Sequence, residues 1–283
     1  MQMFVERWKA KCRIQNQLVR MLLCEFVATA FLIFVGLAVE VQAQFNSHPA
    51  NSSSIGWGLA LVFAVQMAFP LSGGHLNPAV SLSAWSFGNL PFAHFLLYSI
   101  AQTAGAFIGA ALTYLIYFDK IAEFDGGARA VYGPKATAAV FATYPGPHLS
   151  LLGSIIDQTS CTAVLCFIIG IITDKHNRIP TVAQPVMMGM MLTVICMAFG
   201  MNAGNAMNPA RDFGPRLFTF MAGYGWEVFS YNSYKWFWVP ILCPLFGAIV
   251  GSWAYQLIIS AQIGPTEEEE ERSLSPDQSV TKS

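Results

Sequence analysis

The residues of this chain best suited to act on a passing molecule are two asparagines, each followed by proline and alanine. They are Asn77-Pro78-Ala79 and Asn208-Pro209-Ala210. Asn-Pro is a poor pair for a helix interior but a good helix start. The asparagine carboxamide can cap, and proline suits the first helical position because its missing N–H would have no partner there. A helix start also gathers unpaired N–H groups and a partial positive charge, so each motif offers hydrogen-bond donors and a field that repels cations. Arg211 directly follows the second motif and adds a guanidinium. The flanks repeat as well: Met67-Ala68-Phe69 leads to His75-Leu76 before the first motif, and Met197-Ala198-Phe199 leads to Ala206-Met207 before the second.

The elements that must hold these groups are membrane spans. Hydrophobic residues make up 54% of the 283 and charged residues only 11%, too apolar for an ordinary soluble domain. Six stretches are long enough to cross roughly 30 Å of hydrocarbon: residues 21–41, 55–71, 92–118, 151–172, 181–199 and 236–260. The second and fifth are at the lower limit, and each Asn-Pro-Ala opens a further segment too brief to cross. Short segments at matching places in two halves mark an inverted repeat. Glycines four apart recur in the third and sixth stretches (Gly105 and Gly109, Gly247 and Gly251), where they let neighbouring backbones approach. Glu25 and Gln158 stand 52 and 50 residues before their respective asparagines. The expected fold is an all-α membrane protein of six transmembrane helices plus two re-entrant half-helices. Its repeats cover about 21–118 and 151–260. Three spans per half invert the second half, so the half-helices enter from opposite faces and meet at their N-termini.

An even number of spans puts both termini on one side. Arg7, Lys9, Lys11, Arg13 and Arg20 precede the first span, and Lys175, Arg178, Arg272 and Lys282 share its side, which the positive-inside rule makes cytoplasmic. Residues 1–20 read as a basic interfacial segment with Phe4, Val5 and Trp8 toward lipid. Residues 261–283, rich in glutamate, read as a disordered cytoplasmic tail. Five of the six cysteines fall within spans and Cys12 faces the cytosol, so free thiols are expected. Asn51-Ser52-Ser53 is a glycosylation sequon in the first outer loop. A net charge of −1 gives no sign of nucleic-acid binding.

The doubled Asn-Pro-Ala, with His75-Leu76 before the first and Arg211 after the second, resembles the aquaporin family over nearly all of residues 21–260. Asp212 and Arg216, Pro244-Leu245, and the run from Phe141 to Pro145 are similar to the family's glycerol-conducting branch. The resemblance implies a passive channel for water and glycerol, with urea or other small neutral solutes as further candidates, that excludes protons and ions. It implies a homotetramer in the lipid of the plasma membrane, with no catalytic residue, cofactor or metal. Asn77 and Asn208 would cap the half-helices and offer N–H groups to a passing oxygen. Arg211 would form the outer constriction with Trp57, Cys196 and Asn205, which stand twenty, twelve and three residues before the asparagine of their half. Trp57 matches the aromatic of the glycerol branch, and Cys196 replaces the histidine of water channels. Asn205 departs from the pattern: it stands where glycerol channels often carry a second aromatic, leaving a slot with one aromatic wall. Glu25, Gln158 and His75 would brace the half-helix loops. A strict water channel remains the main alternative. An inverted-repeat secondary transporter is a further one, though only Glu25 and Arg211 could serve it as coupling charges.

Overall fold

With no water in the hydrocarbon region, a long apolar stretch must satisfy its own N–H and C=O groups, and a helix does this within one segment. The computed structural model describes residues 1–46 and 51–264, and among these all regular structure is helical. In chain order the helices are α1 (Gln2–Cys12), α2 (Gln17–Phe45), α3 (Ser52–Ser72), α4 (Pro78–Ser86) and α5 (Phe92–Asp125). The second half follows with α6 (Leu151–Thr173), α7 (Gln184–Ala203), α8 (Pro209–Thr219), α9 (Glu227–Tyr234) and α10 (Val239–Tyr255). Six of these segments are long and apolar enough to cross a membrane.

Three expectations need correction. The second and fifth spans are not short: α3 has 21 residues and α7 has 20. Hydropathy undercounts them because both helices absorb polar ends, Ser52 to Ser54 in one and Asn202 in the other. The short elements are the half-helices themselves, 9 residues in α4 and 11 in α8. Residues 261–263 do not belong to the tail either. The last span runs on through a π-helical turn, Gln256–Ser260, into α11 (Ala261–Ile263), because Ala261 and Ile263 extend its apolar run, and Gly264 at φ +84° ends it. The acidic remainder, 265–283, lies outside the described residues, as does 47–50. Third, Gln17 to Arg20, assigned to the basic leader, form the first turn of α2, capped by Asn16 accepting from the Val19 N–H at 3.1 Å. Ahead of it, α1 leaves Phe4, Val5 and Trp8 exposed.

The two halves interlock. In the first, α2 packs along α5; in the second, α6 packs along α10. The glycine pairs make both contacts: a Cβ at Gly105 or Gly109 would collide with the carbonyls of Phe26 and Ala30, and one at Gly247 or Gly251 with those of Thr159 and Ala163. At the centre α3 meets α7. Each half-helix then leans on the other half as well as its own, α4 on α10 and α8 on α5. This exchange brings the two Asn-Pro starts together.

Candidate functional site

The ends of α4 and α8 meet head to head. Asn77 Oδ1 accepts from the Ala79 N–H at 2.8 Å, and Asn208 Oδ1 accepts from the N–H groups of Ala210 and Arg211 at 3.0 and 3.2 Å. Each asparagine also reaches across the junction. Asn77 Nδ2 donates to the Met207 carbonyl at 2.9 Å, and Asn208 Nδ2 donates to the Leu76 carbonyl at 2.8 Å. Leu76 and Met207 both hold left-handed backbone, φ +54° and +48°. A carboxamide nitrogen carries two hydrogens. One from each asparagine is therefore spent on clasping the halves, and one on each remains.

Buried polar groups hold the loops that enter these helices. Glu25 is fully buried and accepts the N–H groups of His75 and Leu76 at 3.0 and 2.7 Å, the Ser72 hydroxyl at 2.6 Å and the Gln102 amide at 2.8 Å. A carboxylate has lone pairs enough for all four. In the second half Gln158 Oε1 accepts the Ala206 N–H at 3.1 Å, and its Nε2 donates to Asp157 at 2.8 Å. The ring Nδ1 of His75 lies 3.0 Å from Ser81 Oγ, and Tyr98 meets the ring edge-on.

A cavity of about 760 Å³ passes both asparagines. It follows α3 from Ser53 to Gly73, and twenty residues of helix rise roughly 30 Å, the thickness of a bilayer's hydrocarbon core. His75, Asn77 and Asn208 line it, and so do Trp57, Cys196, Asn205 and Arg211. Arg211 is 7% exposed, and its guanidinium carbon sits 4.5 Å from the centre of the Trp57 ring. Its Nη1 donates to the Phe141 carbonyl at 2.9 Å. Asn205 holds φ +47°, matching Gly74 at φ +64° in the first loop, also three residues before its asparagine. Asparagine tolerates this conformation better than most residues with a Cβ. Its Nδ2 donates to the Cys196 carbonyl at 3.2 Å, while Oδ1 is buried with no hydrogen-bond partner.

Asp212, Arg216, Pro244 and Leu245 do not line the cavity. Asp212 accepts from Thr143 N–H and hydroxyl at 2.8 and 2.5 Å and from Arg216 Nε at 2.8 Å. Arg216 completes the clamp by donating to the carbonyls of Thr143 and Val228 at 2.7 and 2.8 Å. This buried pair fastens the 141–145 loop whose Phe141 carbonyl receives Arg211. Pro244 is buried within α10 and Leu245 packs against the core. Asn51 precedes the first residue of α3 without a side-chain capping bond and lines one end of the cavity, so a glycan there would stand at its mouth.

One lining residue escaped the sequence reading. Glu40 accepts the Trp57 indole N–H at 2.6 Å and the Ser53 hydroxyl at 2.5 Å, both on Oε1. The signal was available: Glu40 lies inside the first apolar stretch, where an acid carries a presumption of function.

The family description Major intrinsic protein matches residues 13–255. Human Aquaporin-9 is 39% identical over 256 residues, 89% of this chain and 86% of that one. Human Aquaporin-10 is 38% identical over 252 residues, 88% of this chain and 83% of that one. In structure the chain is similar to the aquaglyceroporin from Plasmodium falciparum, with TM-score 0.78, 28% sequence identity, 87% of this chain and 98% of that chain covered.

Proposed function

This chain belongs to the major intrinsic protein family, and from that premise we propose that it is a passive transmembrane channel conducting water and glycerol while excluding protons and ions. The observation that carries this reading is the cavity along the whole of α3, passing first the Trp57–Arg211 pair and then the two half-helix caps. A solute hydroxyl meets Arg211 as donor, while the part of the Trp57 ring that borders the cavity lies against the solute's carbon side. Deeper in, the remaining N–H of Asn77 and of Asn208 can bind the solute oxygen. A cation meets the Arg211 charge and then two half-helix N-termini whose fields add. A proton chain is broken because Asn77 and Asn208 donate to a water oxygen and so turn both its hydrogens away from them.

The similarity to Aquaporin-9 and Aquaporin-10, and to a solved aquaglyceroporin, supports the glycerol branch. With Asn205 in place of a second aromatic, the slot has one aromatic wall, Trp57, and is lined more by polar groups. That chemistry also suits small neutral solutes such as urea. The reading includes no catalytic step. It takes residues 17–263 as the channel domain, places both termini in the cytoplasm and the protein in the plasma membrane, and assembles it as a homotetramer. Stopped-flow light scattering on proteoliposomes tests it. Shrinkage under an impermeant osmolyte and reswelling in glycerol should both be faster than in empty vesicles. Fast shrinkage without faster reswelling would make the chain a strict water channel.

A further inference from the structure

A tryptophan at a constriction is useful only if its ring is held in one orientation. Trp57 is held on three sides. Its six-membered ring lies directly on Gly36, where a Cβ would overlap it. One face carries the Arg211 guanidinium at 4.5 Å. Its single polar atom, Nε1, donates to Glu40 Oε1 at 2.6 Å. Gly36 and Glu40 are four residues apart, so they share a face of α2 and act as a seat and a latch. Ser53 Oγ, one turn before Trp57 on α3, donates to the same carboxylate oxygen at 2.5 Å and holds it in place. Among the described residues no hydrogen bond goes to Glu40 Oε2, and Glu40 lines the cavity.

We propose that Glu40 is a positioning residue of the constriction: it fixes the Trp57 ring flat against Arg211 and so sets the channel's preference between polyols and water. The inference rests on the channel reading above. A polyol needs both a hydrogen-bonding side and an apolar side, here Arg211 and the ring border that Trp57 turns to the cavity, whereas water needs only the first. Releasing the indole N–H therefore weakens polyol passage first, for two reasons. The ring can turn off the guanidinium, and an unpaired indole N–H becomes an extra donor that retains hydroxyls.

The test compares Glu40→Val, Glu40→Gln, Trp57→Phe and the double variant Glu40→Val/Trp57→Phe in proteoliposomes, read as the ratio of glycerol to water permeability. Valine removes the acceptor, while glutamine keeps a carbonyl oxygen for the indole. We expect Glu40→Val to lower the ratio at least fivefold and Glu40→Gln to hold it within twofold of the parent. In the Trp57→Phe background, which has no N–H to hold, Glu40→Val should add less than a twofold change. A ratio unchanged in Glu40→Val overturns the proposal, and so does a Glu40→Gln value as low as that of valine. Parent vesicles no faster than empty ones would instead refute the channel reading. The proposal would then be decided by NMR of the indole-labelled protein in detergent. The Trp57 indole proton, identified by its loss in Trp57→Phe, should move upfield in Glu40→Val and stay downfield in Glu40→Gln. A resonance that does not move in Glu40→Val overturns the positioning role without reference to transport.

Discussion

Arg211 and Asp212 are neighbours in sequence whose side chains grip the same loop at points two residues apart. Arg211 Nη1 donates to the Phe141 carbonyl at 2.9 Å, and Asp212 Oδ2 accepts the Thr143 N–H at 2.8 Å. One faces the cavity and the other does not, because successive helical side chains diverge. The placement of the Arg211 guanidinium thus depends on a loop that the adjacent acid secures, together with the fully buried Arg216. Replacing Asp212 by alanine leaves Arg216 buried without its partner, at a cost of about 3–5 kcal/mol. Thermal unfolding in detergent should show a markedly lower midpoint for Asp212→Ala. A midpoint equal to the parent's would mean that the carbonyls of Thr143 and Val228 suffice for Arg216.

In the proposed channel Arg211 supplies the positive charge beside Trp57. Arg211→Val should therefore let protons or small cations leak through while glycerol still passes, since Trp57 and its Glu40 latch remain. A pH-sensitive dye trapped in proteoliposomes reads the leak directly. If leak is no greater than in the parent, charge exclusion resides in the half-helix ends alone.

Cys196 lines the same cavity, and Asn205 Nδ2 is bonded to its carbonyl. Mercurials should block solute flux through the parent, and Cys196→Ser should remove the block. Of the other cysteines only Cys166 also lines the cavity, and it is buried at 2% exposure. Persistent block in Cys196→Ser that disappears in Cys166→Ser would move the reactive thiol to the other end of the cavity.

These relationships divide by how local their cause is. Apolar length marks the spans, and Asn-Pro marks the start of each half-helix, because both signals sit within a few residues. Counting back from the asparagines leads to Trp57, Cys196 and Asn205 because helix geometry converts spacing into depth. The acceptor of Arg211 could not be found this way: it is a backbone carbonyl 70 residues away, and a carbonyl has no residue-type signature. Glu40 and Trp57 are 17 residues apart on different helices, joined only once the chain between them turns back. Asn205 reads from its type as a group turned to solute, yet half of its amide serves the backbone, and its left-handed φ matches the glycine of the first repeat. The polar ends of α3 and α7 lie beyond their apolar stretches for a simpler reason. Hydropathy stops at the first polar residue, whereas a helix continues while its backbone bonds can be made.

The glycine pairs offer a test of how the repeat is held together. Gly251 packs on the backbone of Ala163, and a side chain there meets a carbonyl group that cannot rotate away. Helix α10 would have to move off α6, taking with it the contact that α4 makes on α10. Overpacking of this kind costs about 1–3 kcal/mol, and more where backbone is the obstacle. Gly251→Val should lower the unfolding midpoint in detergent and reduce solute flux per folded protein, because α4 carries the Asn77 cap. The adjacent Val250 is 44% exposed and lies on the outer face, so Val250→Ala serves as the control and should change neither. If Gly251→Val unfolds like the parent, α10 and α6 have room to separate, and close glycine packing is not what fixes the half-helix.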